Sequence, residues 1–223
     1  MVKTSIAAVA QARRKGNTRK KIEVAALKLF LKNGFTGTSM DDLATAAEVS
    51  KQTVYSHFEN KETLFIEIMH ALMQPAGDQV RLGVAEPTST EISDFLLAFA
   101  LQQLTIVLSP QLMQLRRLVI GEAQRFPELG KTLHEAGPMR SIIRLTQAFD
   151  YYKLIGSFKG KDTHNAAEFF NWILMGGPTN SAMMLGDVAI PKPPQLRKHA
   201  AESVRIFLAA YGAGDVILMS GEF

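Results

Sequence analysis

Residues 39–58 leave little choice of local structure. Ser39 stands three residues before Asp42, the spacing of a capping box that closes a helix N-terminus from both sides. Leu43, Ala44 and Ala47 then share one face, and Glu48-Val49 supplies a tight turn. Ser50 is placed to cap a second short helix. On that helix Val54 and Phe58 are four apart and point inward. Lys51, Gln52, Thr53, Tyr55, Ser56 and His57 remain for the outer faces. All six donate hydrogen bonds or bring positive charge, and none is a carboxylate. A short helix with such a face suits a polyanion with readable base edges.

The flanks extend the pattern. Ile22, Ala25, Ala26, Leu29 and Phe30 form an apolar stripe that predicts a helix from about Thr18 to Asn33, with Gly34 as its stop. Phe35 is expected to plug a small three-helix core. Thr38 and Ser39 precede a helix and can offer hydroxyls and free amides to a phosphate. Asn60 caps a fourth helix whose stripe is Leu64, Phe65, Ile68, Met69 and Leu72, expected to reach Pro75.

The run Thr-Val-Tyr-Ser-His-Phe-Glu-Asn-Lys-Glu-Thr-Leu at 53–64, with its lead-in at 22–44, resembles the helix-turn-helix signature of TetR-family repressors over roughly residues 16–76. The resemblance implies DNA contacts from Thr38, Ser39, Ser50, Lys51, Gln52, Thr53, Tyr55, Ser56, His57 and Lys61. In such proteins Lys61 is the usual backbone-phosphate contact; simple solvation is its plainer reading. Glu48 departs from the pattern, since many relatives have Gly there. A left-handed non-Gly residue costs ~1 kcal/mol, which the fold tolerates.

Charge is uneven along the 223 residues. Residues 1–60 carry ten Lys or Arg against five Asp or Glu, and residues 61–223 carry fifteen against sixteen. Seven of the basic residues lie in residues 1–21, with no acid among them. Placed directly before a helix-turn-helix, they favour phosphate binding. Residues 1–15 read as a basic flexible arm, with a break at Gly16-Asn17; the TetR resemblance implies that it reaches the minor groove or phosphates near the half-site, and a disordered tail with no role is the alternative. The chain has no cysteine, hence no disulfide or thiolate metal site. No apolar run is long enough for a membrane span, and the start lacks a compact signal-peptide stretch, so a cytoplasmic protein with no membrane partner is expected.

Beyond a loop at 75–88 the chain reads as helical. A capping box at 88–91 precedes Ile92, Phe95, Leu96 and Phe99. Ser109-Pro110 starts another helix that ends at Phe126-Pro127, and a short one follows over 128–136. Gly137-Pro138 breaks the chain before a helix with Ile142, Leu145 and Phe149. A helix over 163–185 should be kinked or interrupted at Gly176-Gly177-Pro178. The last spans Gln195–Tyr211. The stretch at 117–130 is similar to the AcrR-like C-terminal domain of TetR relatives. That likeness implies a homodimer through the last two helices, with Gly176, Gly177, Ala182 and Ala200 permitting close approach; internal packing in a monomer is the alternative. It also implies an apolar effector cavity, for which Phe99, Gln103, Met113, Arg117, Phe149, Tyr152, Asn171, Trp172 and Met175 are candidates; plain core is the alternative for each.

No catalytic constellation is evident. His134-Glu135 continues without a second histidine, no phosphate-cradling glycine loop is present, and the five histidines lack ligand spacing. The expectation is an all-α protein that is not an enzyme and needs no metal or cofactor. It has an N-terminal helix-turn-helix domain at 16–76 (helix-turn-helix 39–58) and a helical effector-binding and dimerisation domain at 77–223. Its partners would be a double-stranded DNA operator, a small-molecule effector and a second copy. A helical protein-interaction module that kept the fold is the competing reading.

Overall fold

A computed structural model describes residues 2–83 and 91–213. The elements are α1 (Val2–Asn33), α2 (Met40–Ala46), α3 (Lys51–His57), α4 (Lys61–Gly83), α5 (Ile92–Val107), α6 (Pro110–Glu122), α7 (Pro127–His134), a π-helical turn (Glu135–Met139), α8 (Arg140–Leu154), α9 (Thr163–Leu185), a 3-10 turn (Asp187–Ala189) and α10 (Pro193–Tyr211). Among the described residues there is no strand, only an isolated bridge between Phe158 and Gly212. Three of the expected capping-box residues, 88–90, and the tail from 214 lie outside the described residues.

Several boundaries differ from expectation. Helix α1 runs back through Gly16 to Val2 instead of starting near Thr18. One interior glycine costs only ~1 kcal/mol, which the alanine-rich run before it can absorb. Helix α4 continues past Pro75 to Gly83, because a proline deletes one hydrogen bond without ending a helix whose neighbours favour it. Gly137-Pro138 does not break the chain: the helix widens into the π-turn at 135–139, which takes in the proline and carries on as α8. Helix α9 is likewise continuous through Pro178. Helix α6 ends at Glu122, four residues before Phe126.

The described chain forms two compact units, one of residues 1–71 with 118–132 and the other of 72–117 with 133–223. The first has an aromatic core. Phe35 meets Phe30, Phe65 and Phe126 with ring centroids 5.6, 5.2 and 4.8 Å apart. Ile22, Leu43, Val54 and Leu64 close around these rings with no exposed surface. Gly34, at φ 79°, ends α1 in the left-handed conformation that a glycine adopts without penalty.

In the second unit α8 packs on α9, and α10 packs on α5 and α9. Phe149, Phe158, Phe207 and Tyr211 stack in the middle; Phe149 and Phe158 are 4.7 Å apart and nearly parallel. Ala182 and Ala200, expected to ease contact with a second copy, are fully buried within this core. They are spent on packing inside the chain, because their faces of α9 and α10 turn inward.

Candidate nucleic-acid interface and cavity

Helix α2 begins as its sequence dictates. The Asp42 backbone amide donates to Ser39 Oγ at 3.1 Å, while the Ser39 amide donates back to Asp42 Oδ2 at 2.9 Å. The Ser39 hydroxyl, and after it the Ser39 amide, donate to the Asp42 carboxyl and hold it below its ordinary value. The turn then passes through Glu48 at φ 53°, the single positive-φ non-glycine residue among those described. Lys21 Nζ donates to the Glu48 carboxylate at 2.8 Å and holds its pKa down.

Ser50 caps α3, accepting the Thr53 amide at 3.1 Å. Val54 and Phe58 are buried, so the register of α3 is fixed against the core. Lys51, Gln52, Tyr55 and Ser56 are exposed, with Thr53 and His57 half-buried. Ser50 and Thr53 hydroxyls lie 2.8 Å apart, and Ser56 Oγ donates to the Thr53 carbonyl. The free donors on this face are therefore chiefly those of Gln52 and Tyr55.

Four groups on or beside this face are engaged by neighbours within the chain. Lys51 Nζ sits 2.7 Å from Asp41 on α2, and that contact raises its pKa. Lys61 donates at 2.8 Å to both the Phe35 and Thr38 carbonyls and lies over the Phe35 ring. Two of its three hydrogens thus tie α4 to the 35–38 loop. Arg19 was not singled out by sequence, yet it joins three elements: it pairs with Glu23 and Glu67, donates to the His57 carbonyl and covers the Phe58 ring. His57 is held below its ordinary 6.5, first by burial and then by Lys15 and Arg19. Its place in the last turn of α3 favours the cation, but the larger effects oppose it.

Thr38 is a correction. It is 1% exposed and its hydroxyl donates to the Gly34 carbonyl at 2.9 Å, so its side chain has no route to a phosphate. Ser39 beside it is exposed.

The second unit contains a cavity of about 110 Å³ walled by α5, α6, α8, α9 and the π-turn. Phe99, Gln103, Asn171, Trp172 and Met175 line it as expected. The other four candidates do not. Met113, Phe149 and Tyr152 are core side chains, because an inward helical position does not tell whether the space it faces is filled. Arg117 donates instead to the Ala182 carbonyl at 2.9 Å and pairs with Asp187, which also accepts from Gln114 at 2.6 Å. These donors lower the Asp187 pKa, Arg117 first. The sequence reading missed Arg116, Arg140 and Arg144, all of which line the cavity. Their spacing on polar helix faces reads as ordinary solvent exposure.

Among the described residues no group of three or more His, Asp or Glu is placed to hold a metal, and no single helix is long and apolar enough to cross a membrane.

Comparison with known proteins bears on both sites. Residues 22–68 match the family described as bacterial regulatory proteins, tetR family, and residues 94–213 match the AefR-like transcriptional repressor C-terminal domain. A protein of Mesorhizobium loti MAFF303099 assigned to the TetR family of transcriptional regulators has a similar structure, with a TM-score of 0.80 and 32% identity over 89% of this chain and 98% of that one. The flavonoid-responsive regulator FrrA follows at 0.76, with 28% identity over 90% of this chain and 100% of its own. The transcriptional repressor NicS of Pseudomonas putida is 35% identical over 80 residues, 34% of this chain. That match spans only 38% of the length of NicS. With two family matches that include both units, the chain belongs to the TetR family of bacterial regulatory proteins and carries an AefR-like C-terminal domain.

Proposed function

We propose that the protein is a sequence-specific, homodimeric DNA-binding repressor that a small, largely apolar effector releases from its operator. The observation that carries this reading is the outer face of α3. Caps at Ser50 and the buried Val54 and Phe58 hold it rigid, and it offers Gln52 and Tyr55 unencumbered, with Lys51 alongside. Rigid presentation of donors is what base readout requires, and two-fold repetition supplies the area that one short helix lacks. Of the DNA contacts, Lys51, Gln52 and Thr53 lie nearest the bases in this reading. Ser39, Tyr55, Ser56 and His57 hold phosphates, and Ser50 and Lys61 act mainly by fixing backbone. In domain terms, residues 16–76 bind DNA and 77–223 bind effector and partner.

Support for the dimer comes from α9. Phe169, Trp172, Ile173, Met184 and Leu185 are all exposed on it, apolar side chains that a second copy would cover. Support for the effector comes from the cavity and from the name of FrrA, a flavonoid-responsive relative of the same fold. Linkage then requires that an effector which weakens operator binding is itself held more weakly by the operator complex.

The test is to select an operator from random duplex DNA with the purified protein and titrate it by fluorescence anisotropy. Tyr55→Ala and Gln52→Ala are each expected to weaken binding by about 5- to 100-fold. Log affinity should fall linearly with log salt, with a slope that reports several neutralised phosphates. Unchanged affinity in both variants would remove α3 from the interface.

A further inference from the structure

Three features of the cavity in the second unit point to one ligand chemistry. The first is charge. Arg116, Arg140 and Arg144 contribute to its wall, and among the described residues no Asp or Glu does. The rest of the lining is chiefly apolar, with Phe99, Ile106, Leu112 and Trp172 among it.

The second is Arg116 itself. Its side chain is half-buried and has no hydrogen-bonding or ionic partner among the described residues; burial pushes its pKa below the ordinary 12.5. An arginine nonetheless stays charged at neutral pH. A partly desolvated cation without an acceptor is costly, and a bound anion relieves that cost. Arg117, its neighbour, shows the contrast, since its fork is filled by Asp187 and the Ala182 carbonyl.

The third is Gln103. It is 7% exposed and donates through Nε2 to Asn171 Oδ1 at 2.9 Å. Its Oε1 is left buried with no donor. Exchanging the two ends of the carboxamide only moves the orphan to Nε2. Gln103 thus lines the cavity with one end of its carboxamide in want of a polar partner among the described residues.

We propose that this cavity binds an amphipathic organic anion, an apolar or aromatic body carrying one carboxylate, with Arg116 as the counter-ion and Gln103 meeting a second polar group. The inference rests on the effector reading above and narrows it to a chemical class. The apolar lining takes the body of the molecule. The three arginines set the sign of the charge that enters and reject cations. Of the three, Arg116 is assigned the direct pairing because Arg140 is exposed and Arg144 lies over the Phe99 ring, 5.8 Å from its centroid.

Trp172 is the single tryptophan of the chain and lines the cavity, so its fluorescence reports occupancy without a label. Benzoate, cinnamate and octanoate are titrated into the full-length protein, each beside its own neutral amide, at one fixed protein concentration. At least one acid is expected to saturate the Trp172 signal and to bind about 10- to 100-fold more tightly than its amide, the range for a charge-assisted hydrogen bond. Arg116→Met should bring acid and amide to within about threefold of each other. Arg116→Lys, which keeps a cation, should retain a preference for the acid, and it serves if the methionine variant does not fold. The proposal is overturned if no acid saturates the signal, if acids and amides bind alike to the natural protein, or if the preference survives Arg116→Met. Operator binding by the unliganded natural protein is read separately. Its absence would sink the regulator reading, whereas operator binding without acid preference sinks only the carboxylate.

Discussion

His57 shows how one side chain can carry two opposed pH effects. Burial, Lys15 and Arg19 hold its pKa below 6.5 in the free protein. The unfolded chain therefore binds a proton before the folded one does as pH falls. His57 contributes its full share of stability above 6.5, and that share is lost as pH drops from there through the folded value. A neighbouring phosphate acts in the other direction, because it favours the imidazolium. The expected outcome is a His57 resonance that titrates below 6.5 in free protein and moves up on adding operator duplex, followed by NMR. Operator affinity should correspondingly rise as pH falls through that interval, and His57→Gln should flatten the rise. Lys51 makes a related point. Its pairing with Asp41 means that reaching DNA trades one anion for another, so a count of basic residues overstates the charge this face can deliver.

At the level of elements, the parts governed by near neighbours were legible in advance. The caps at Ser39, Ser50 and Asn60, the stop at Gly34 and the inward pair Val54 and Phe58 all depend on residues within four positions. What the sequence concealed depends on chain that returns from far away. Lys61 reads as a phosphate ligand until the 35–38 loop folds over it. Arg19 reads as one more basic residue until Glu67 and the end of α3 arrive beside it. The cavity was half visible for the same reason: periodicity shows that Phe99 and Phe149 both point inward, but not that space is left in front of only one. Phe35 is where these long-range contacts converge, between three phenyl rings and the Lys61 ammonium. Phe35→Ala is expected to destabilise the first unit by about 3–5 kcal/mol, a large share of the ~5–15 kcal/mol that holds a typical domain folded. Thermal and denaturant melts would show it, and Phe35→Leu should lose much less.

For the whole molecule, the proposed effector site and the proposed dimer face meet at α9. Trp172 walls the cavity and is also 54% exposed among the bare apolar side chains of that helix. A ligand that shifts this indole changes what a second copy finds, and a second copy changes what a ligand finds. Apparent ligand affinity should therefore depend on protein concentration, differing between samples held well below and well above the dimer dissociation constant. Sedimentation velocity with and without benzoate or cinnamate checks the reciprocal effect. The same sharing restricts how the protein can diversify. If the bare face of α9 is the seam between subunits, a substitution at position 172 that admits a new molecule also redraws that seam. Changes in what this regulator senses are then easiest at Ile106 or Leu112, which line the cavity from α5 and α6.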